Sequence, residues 1–161
     1  MKRFIRLTLL LIVTTTTLSC HRNKVYDKYR HTPVTGWEKS DTLIFKTPPA
    51  AQDGDYRADL GIRITELFPF LSLTMIVEQT IHPSNVTSSD TLTCPLIDKN
   101  GIERGKGISY IQYTFPINTI KLAQGNSVSF CVRHNMMRDI LPGISDVGIS
   151  MSYQHREIAE K

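Results

Sequence analysis

Downstream of Gly36 the chain alternates. Tyr56, Ala58, Leu60, Ile62 and Ile64 are apolar, while Arg57, Asp59, Gly61, Arg63 and Thr65 between them are polar or small. A period of two puts one set inside and the other in water, the mark of a half-buried strand. Leu71, Leu73, Met75 and Val77 alternate more loosely with Ser72, Thr74, Ile76 and Glu78. The same rhythm runs through Ile111, Tyr113 and Phe115, and through Val147, Ile149, Met151 and Tyr153. It recurs at Leu92, Cys94 and Leu96 and at Val128, Phe130 and Val132, and Leu43 and Phe45 begin a shorter run. The pattern predicts about seven strands.

Chain reversers separate them: Asp53-Gly54, Asp98-Lys99-Asn100-Gly101, Gly125-Asn126 and Pro142-Gly143. No ten-residue helical stripe interrupts the alternation, although His134 to Ile140 has room for one or two helical turns. Short strands with turns and no crossover helices imply antiparallel pairing. The expected fold is all-β, a single antiparallel β-sandwich, either immunoglobulin-like or jelly-roll-like. The expected boundaries are a sandwich over residues 37–154 and a charged tail over 155–161.

The first twenty residues follow a different rule. Lys2, Arg3 and Arg6 precede an apolar stretch centred on Leu7 to Val13, and Leu18-Ser19-Cys20 follows, with Thr17 where leucine is usual. The apolar stretch falls short of the roughly 20 residues that span a bilayer. A short apolar region behind a basic one reads as a removable signal peptide, here residues 1–19. A small residue directly before cysteine fits lipoprotein processing, with Cys20 as the lipidated residue. Each buried methylene of such a lipid contributes about 0.8 kcal/mol, and two or more chains hold stably. Residues 20–36 are then expected to be a tether. His21-Arg22-Asn23-Lys24 is not acidic, which favours a periplasm-facing position over surface export.

The signal peptide changes the charge. The whole chain is +4, but without Lys2, Arg3 and Arg6 it holds 16 basic and 15 acidic residues, a balance of +1. No basic stripe interleaves with aromatics, so no nucleic-acid partner is expected. Of three cysteines, Cys20 belongs to the lipid. The alternation turns Cys94 inward and Cys131 to the opposite face, which argues against a disulfide between them. No cofactor or metal is expected either: the cysteines lack C-x-x-C spacing, and His21, His31, His82, His134 and His155 show no paired ligand spacing. The acids on the strands, Asp59 and Glu78, sit on the wet face instead of facing across a cleft. No G-x-S-x-G is present, and Gly101, Gly105 and Gly107 do not make a phosphate loop, so a hairpin loop accounts for them. No enzyme is expected.

The order of several segments resembles a known family. Val25-Tyr26-Asp27-Lys28-Tyr29, Pro33, Gly36-Trp37 and Asp41-Thr42-Leu43 with Phe45 are similar to the opening of the gliding-motility lipoprotein GldH family. Ile62-Arg63, Phe68-Pro69-Phe70 and Asp90-Thr91-Leu92 follow it through the middle. His134, Met137-Arg138, Leu141, Gly143-Ile144 and Asp146-Val147-Gly148-Ile149 match its close. The resemblance implies a small outer-membrane lipoprotein of Bacteroidetes, linked to gliding and to the type IX secretion apparatus, in cells that glide and in some that do not. It implies no catalytic residues. Partners would be the membrane, through lipid on Cys20, and other envelope or motility proteins.

Two constellations remain. Arg133, His134, Met137, Arg138 and Asp139 form the densest polar cluster. It reads either as a partner surface, since arginine and methionine suit interfaces, or as a loop crossing the end of the sandwich. Trp37 with Tyr26 and Tyr29 reads either as a stacking platform for a periplasmic glycan or other ligand, or, for Trp37, as a core plug with its indole N–H bonded to backbone. Phe68 and Phe70 flank Pro69, which blocks ladder pairing, so this is a bend whose aromatics read either as a partner anchor or as a cap folded back on the core.

Overall fold

The computed structural model describes residues 23–97, 100 and 105–154. The signal peptide, Cys20, the charged tail and most of the loop at 98–104 lie outside the described residues. Ten strands follow in chain order: β1 (Lys24–His31), β2 (Trp37–Glu38), β3 (Leu43–Lys46), β4 (Gly54–Ile64), β5 (Ser72–His82), β6 (Val86–Pro95), β7 (Ile111–Leu122), β8 (Ser127–His134), β9 (Ile140–Leu141) and β10 (Ile144–Gln154).

They form two four-stranded antiparallel sheets, ordered β1-β10-β4-β7 and β3-β8-β5-β6, and a two-stranded β2-β9. The first long strand pairs with the last, and only β5 and β6 join as a hairpin within one four-stranded sheet. Of the two expected architectures this is the jelly roll, whose connections pass repeatedly between facing sheets.

The alternation explains which side chains meet. Tyr56, Ala58, Leu60 and Ile62 on β4 face Leu73, Met75 and Val77 on β5 and Phe130 and Val132 on β8, all buried in one core. Each large apolar side chain sealed there contributes on the order of 1.5–3 kcal/mol. Cys94 points into this core and Cys131 points away, and both are free thiols. Asp59 pairs with Arg57 and Glu78 with Arg133, on outer faces.

Three expectations change. Residues 24–31, expected within the tether, form β1, which pairs with β10 from His31–Asp146 to Lys24–Ser152. The sandwich therefore begins at Lys24 and not at Trp37. The period-two signal fails there because Lys24, Asp27, Lys28 and Arg30 crowd an edge strand, with a bulge between Lys24 and Tyr26. Residues 135–139 hold no helical turn. The loop ending at Gly105 and Gly107 connects different sheets instead of closing a hairpin, although Lys106 pairs locally with Gln112. β7 also runs beyond its legible part. A bulge at Ile117 shifts its phase, so Tyr113 is buried before it and Ile120 and Leu122 after it.

Candidate functional site

The strand directions define two poles. β1 begins, four residues after Cys20, and β10 ends at one pole, and the loops 47–53, 83–85 and 123–126 lie there. At the opposite pole lie 32–42, 65–71, 105–110 and 135–143.

The interior of that far pole is built by β8. Val128, Phe130 and Val132 point inward, and the same phase carries His134 inward too, where it is completely buried. Its Nε2–H donates to the Trp37 carbonyl at 3.2 Å, and its ring meets the Trp37 ring edge-on at 5.2 Å. Burial pushes the His134 pKa down; the Trp37 carbonyl opposes that only in part. Trp37 is equally buried, and its indole N–H donates to the Asp41 carbonyl at 3.2 Å.

Backbone bonds strap the next segment across the pole. Asn135 N–H donates to the Thr74 carbonyl at 2.8 Å, and Lys39 N–H to the Asp139 carbonyl at 2.8 Å. Lys39 Nζ donates to the Met136 carbonyl at 2.9 Å. Trp37 and Glu38 then pair with Leu141 and Ile140. Gly143 follows with φ 78°, and a Cβ there would lie 2.2 Å from the Phe68 nitrogen, so only glycine fits. Phe68 is buried and stacks edge-on with Phe70 at 5.5 Å, capping the core.

With its backbone fixed, this pole turns large apolar side chains to solvent. Met137, Val34 and Ile108 are fully exposed, Leu67 and Leu71 about 70% so, and Ile140 nearly half. Glu38, Lys39, Ser40 and Asp139 surround Ile140 in a shallow depression. Apolar groups ringed by charge are the anatomy of a binding patch.

The predicted residues divide accordingly. Met137, Arg138 and Asp139 are exposed at the pole. Arg133 lies on the outer face of the second sheet, 3.6 Å from Glu78. His134 is a core residue with no surface to offer a partner, because β8 extends one residue beyond its legible part. The stacking platform does not form. Trp37 is the plug. Tyr29 lies flat over Gly61 and Gly148 of adjacent strands, and Arg63 covers its other face at 3.9 Å. Tyr26 is half-buried at the β1 flank. Its pKa and that of Tyr29 are raised, chiefly by burial.

Sequence reasoning missed Val34, Leu67, Leu71 and Ile108 as surface groups. For Val34, Leu67 and Ile108 the signal was available, large apolar residues beside turn residues and outside any alternation; Leu71, read into the alternation with Leu73, instead precedes β5 and is exposed. Asp146, named in the sequence only within the closing pattern, is a buried carboxylate beside His31 of β1 that accepts a hydrogen bond from Ser145 Oγ at 2.7 Å. Among the described residues no three His, Cys, Asp or Glu side chains converge as metal ligands.

A family model described as GldH lipoprotein matches residues 24–151. The gliding motility lipoprotein GldH of Flavobacterium johnsoniae is 27% identical over 104 residues, covering 65% of this chain. The chain spans 64% of that relative's length. Among solved structures, the mosquito-larvicidal Cry4Aa toxin of Bacillus thuringiensis aligns with a TM-score of 0.44 at 11% identity, covering 80% of this chain and 21% of the toxin. A family 35 carbohydrate binding module from Clostridium thermocellum aligns at 0.40 and 12% identity, covering 81% of this chain and 90% of the module. Neither score reaches 0.5.

Proposed function

The chain belongs to the GldH lipoprotein family, and from that membership we propose that it is a non-catalytic assembly component of the bacterial envelope. Lipid on Cys20 holds it to the outer membrane, facing the periplasm. It serves the gliding and type IX secretion-associated machinery, or that machinery's counterpart in cells that do not glide. The name of the Flavobacterium johnsoniae relative supports the link to motility.

One observation carries the reading: the chain enters at one pole, and its exposed apolar loops gather at the other. β10 alone, at about 3.3 Å per residue, separates the poles by roughly 36 Å. A lipid at the entry pole leaves Met137, Ile140, Leu67 and Leu71 turned away from the anchoring bilayer, so a neighbouring protein is the surface they fit.

The test is a Met137→Ser, Ile140→Ser double variant, cross-linked in its native envelope. Loss of the cross-linked complexes at unchanged abundance is the expected result. Complexes of undiminished yield would remove the far pole from the function.

A further inference from the structure

The two sheets turn different faces outward. On β3-β8-β5-β6, Ile44 and Ile76 stand among polar neighbours. On β1-β10-β4-β7 the outward residues of β10 and β4, from Asp146 to Ser152 and from Arg57 to Arg63, are charged, hydroxyl-bearing or glycine. At one end of this face Arg63 is fixed from several sides. Its Nε donates to Gln112 Oε1 at 3.0 Å, and its guanidinium lies 3.9 Å from the Tyr29 ring and 4.9 Å from that of Tyr110. At the other end Lys24 pairs with Asp27 at 2.8 Å and Arg57 with Asp59 at 2.9 Å. Between these rims lies a hollow of about 270 Å³, with Gly61, Ser150 and Ser152 as its short residues and Tyr29, Asp59 and Thr114 around them.

Much of the bonding capacity in this hollow is unused. Among the described residues, the hydroxyls of Tyr29, Thr114, Ser150 and Ser152 bond to no other protein group. Asp59 gives one oxygen, Oδ1, to both Arg57 nitrogens, and its Oδ2 receives no protein donor. Yet the Asp59 side chain is only 14% exposed, so it is recessed and not a surface acid in open water. Four hydroxyls and a carboxylate oxygen bring donors and acceptors together in one space. Paired strands hold them in place, which lowers the ordering cost of binding.

Charge and shape select the occupant. The carboxylates of Asp27, Asp59 and Asp146 are matched by Lys24, Arg57 and Arg63. No excess of cations is present to draw a phosphate backbone. The carboxylates, paired already, suit a hard cation no better. A protein interface needs an apolar, charge-depleted centre and about 800 Å² per partner. This hollow has no aliphatic lining, and it falls just under the roughly 300 Å³ at which small-molecule pockets begin. A small, neutral molecule bearing several hydroxyls meets all of these conditions.

We propose that the hollow binds a single sugar ring. Asp59 Oδ2 and the hydroxyls of Ser150, Ser152 and Thr114 bond to the sugar hydroxyls in place of water. Tyr29 contributes its hydroxyl alone, because the glycines beneath and Arg63 above cover both ring faces. The site lies on a sheet face, apart from the far pole, and does not depend on the assembly reading.

The test is a titration of the full lipoprotein, held in a zwitterionic detergent that contains no sugar, with glucose, galactose, mannose and N-acetylglucosamine. Backbone amide NMR is the readout. At least one sugar is expected to give saturable millimolar shifts at Gly61, Gly148, Ser150 and Ser152 and none at 135–143. Ser150→Phe fills the hollow from an outward position, so it should keep the parent Tm and lose roughly tenfold or more of the affinity. Should that variant lose stability, Asp59→Ala replaces it with the same expectation, since an exposed ion pair contributes little to folding. Methyl glycosides separate the sources. Binding as tight as that of the free sugars supports a site for the end of a glycan, and binding of the free sugars alone supports a site for a small sugar. The Met137→Ser, Ile140→Ser variant should bind sugar as the parent does, whatever becomes of its cross-links. Absence of saturable shifts with all four sugars overturns the inference. So do shifts that both Ser150→Phe and Asp59→Ala leave unchanged. Gluconate or glucosamine binding more tightly than glucose would overturn the assignment to a neutral ligand.

Discussion

The two poles are closed by similar backbone and finished with opposite chemistry. At the entry pole, Ala50 N–H donates to the Asn126 carbonyl at 2.7 Å, Gly125 N–H to the Ala50 carbonyl at 2.9 Å, and Gln124 N–H to Asp53 Oδ1 at 2.6 Å. The loops there are made of small, polar and proline residues, and Val86 at the start of β6 is the large apolar side chain exposed beside them. At the far pole a comparable set of backbone bonds holds 135–143, yet the side chains turned outward there include Met137 and Ile140 and, from the 65–71 loop, Leu67 and Leu71. Burial could have taken these groups, because the fold closes a core directly beneath them around Trp37, His134 and Phe68. Their exposure is therefore not a failure of the core to close. A rigid backbone beneath exposed apolar groups lowers the ordering cost of binding, since the loop is already fixed.

The largest effect expected is the loss of the contrast itself. Cys20→Ala removes the acceptor for lipid, so the poles are no longer oriented by a bilayer. The variant should move from the membrane fraction to the soluble fraction while its β-sheet circular dichroism stays unchanged. Retention in carbonate-washed membranes would show that something other than the lipid holds it.

Next comes a pair of substitutions a few residues apart at the same pole. Trp37→Ala opens a cavity under the β2-β9 pair and leaves the His134 ring without its partner, so a cost of about 3–5 kcal/mol is expected. Met137→Ala touches no core group and should stay within about 0.5 kcal/mol of the parent. Urea midpoints of the two variants measure this directly. Similar midpoints would mean that the pole's surface and interior are not separate.

Much of this interior was legible in the sequence, because one rule wrote it. Period two named the inward residues of β4, β5, β8 and β10, and it turned Cys94 and Cys131 to opposite sides. Trp37 as a plug bonded to backbone followed from its size and single donor. Illegible parts fell where another requirement overrode the rule. β1 carries basic residues because it lies on an edge. β7 loses its phase at Ile117 because a bulge counts two residues against one. His134 continues the alternation of β8, but a histidine in a polar run hides that phase. Of the exposed residues of the far pole, Val34, Leu67, Ile108 and Met137 belong to no period-two run, and Leu71 keeps the period of β5 but stands just outside the strand.

A smaller effect belongs to the turn that joins the two layers of the far pole. Gly143→Ala forces a Cβ against the Phe68 backbone at a φ that L residues rarely adopt, which costs on the order of 1–3 kcal/mol. Gly125→Ala at the entry pole has a similar φ of 85° but nothing within 4 Å. It should cost less, on the order of 1 kcal/mol from the left-handed backbone alone. The difference between the two melting temperatures isolates the packing component, and equal losses would mean that backbone conformation decides both.

The smallest effect is acid sensitivity confined to one pole. His134 is the buried histidine there, and its folded pKa lies below the ordinary 6.5 because burial disfavours the cation. Below about pH 6.5 the unfolded chain binds a proton that the folded chain refuses. The stability associated with neutral His134 is therefore complete above that value and falls away as pH drops toward the folded pKa. Melting temperature should decline between about pH 7.5 and 5.5, and His134→Gln, which keeps a donor for the Trp37 carbonyl but does not titrate, should decline less over the same interval. Hydrogen exchange adds the location: acid should quicken 135–143 before it quickens 123–126, whose network contains no histidine. An equal response at both ends, or an unchanged slope in His134→Gln, would assign the acid sensitivity to other groups and leave the far pole no more labile than the entry pole.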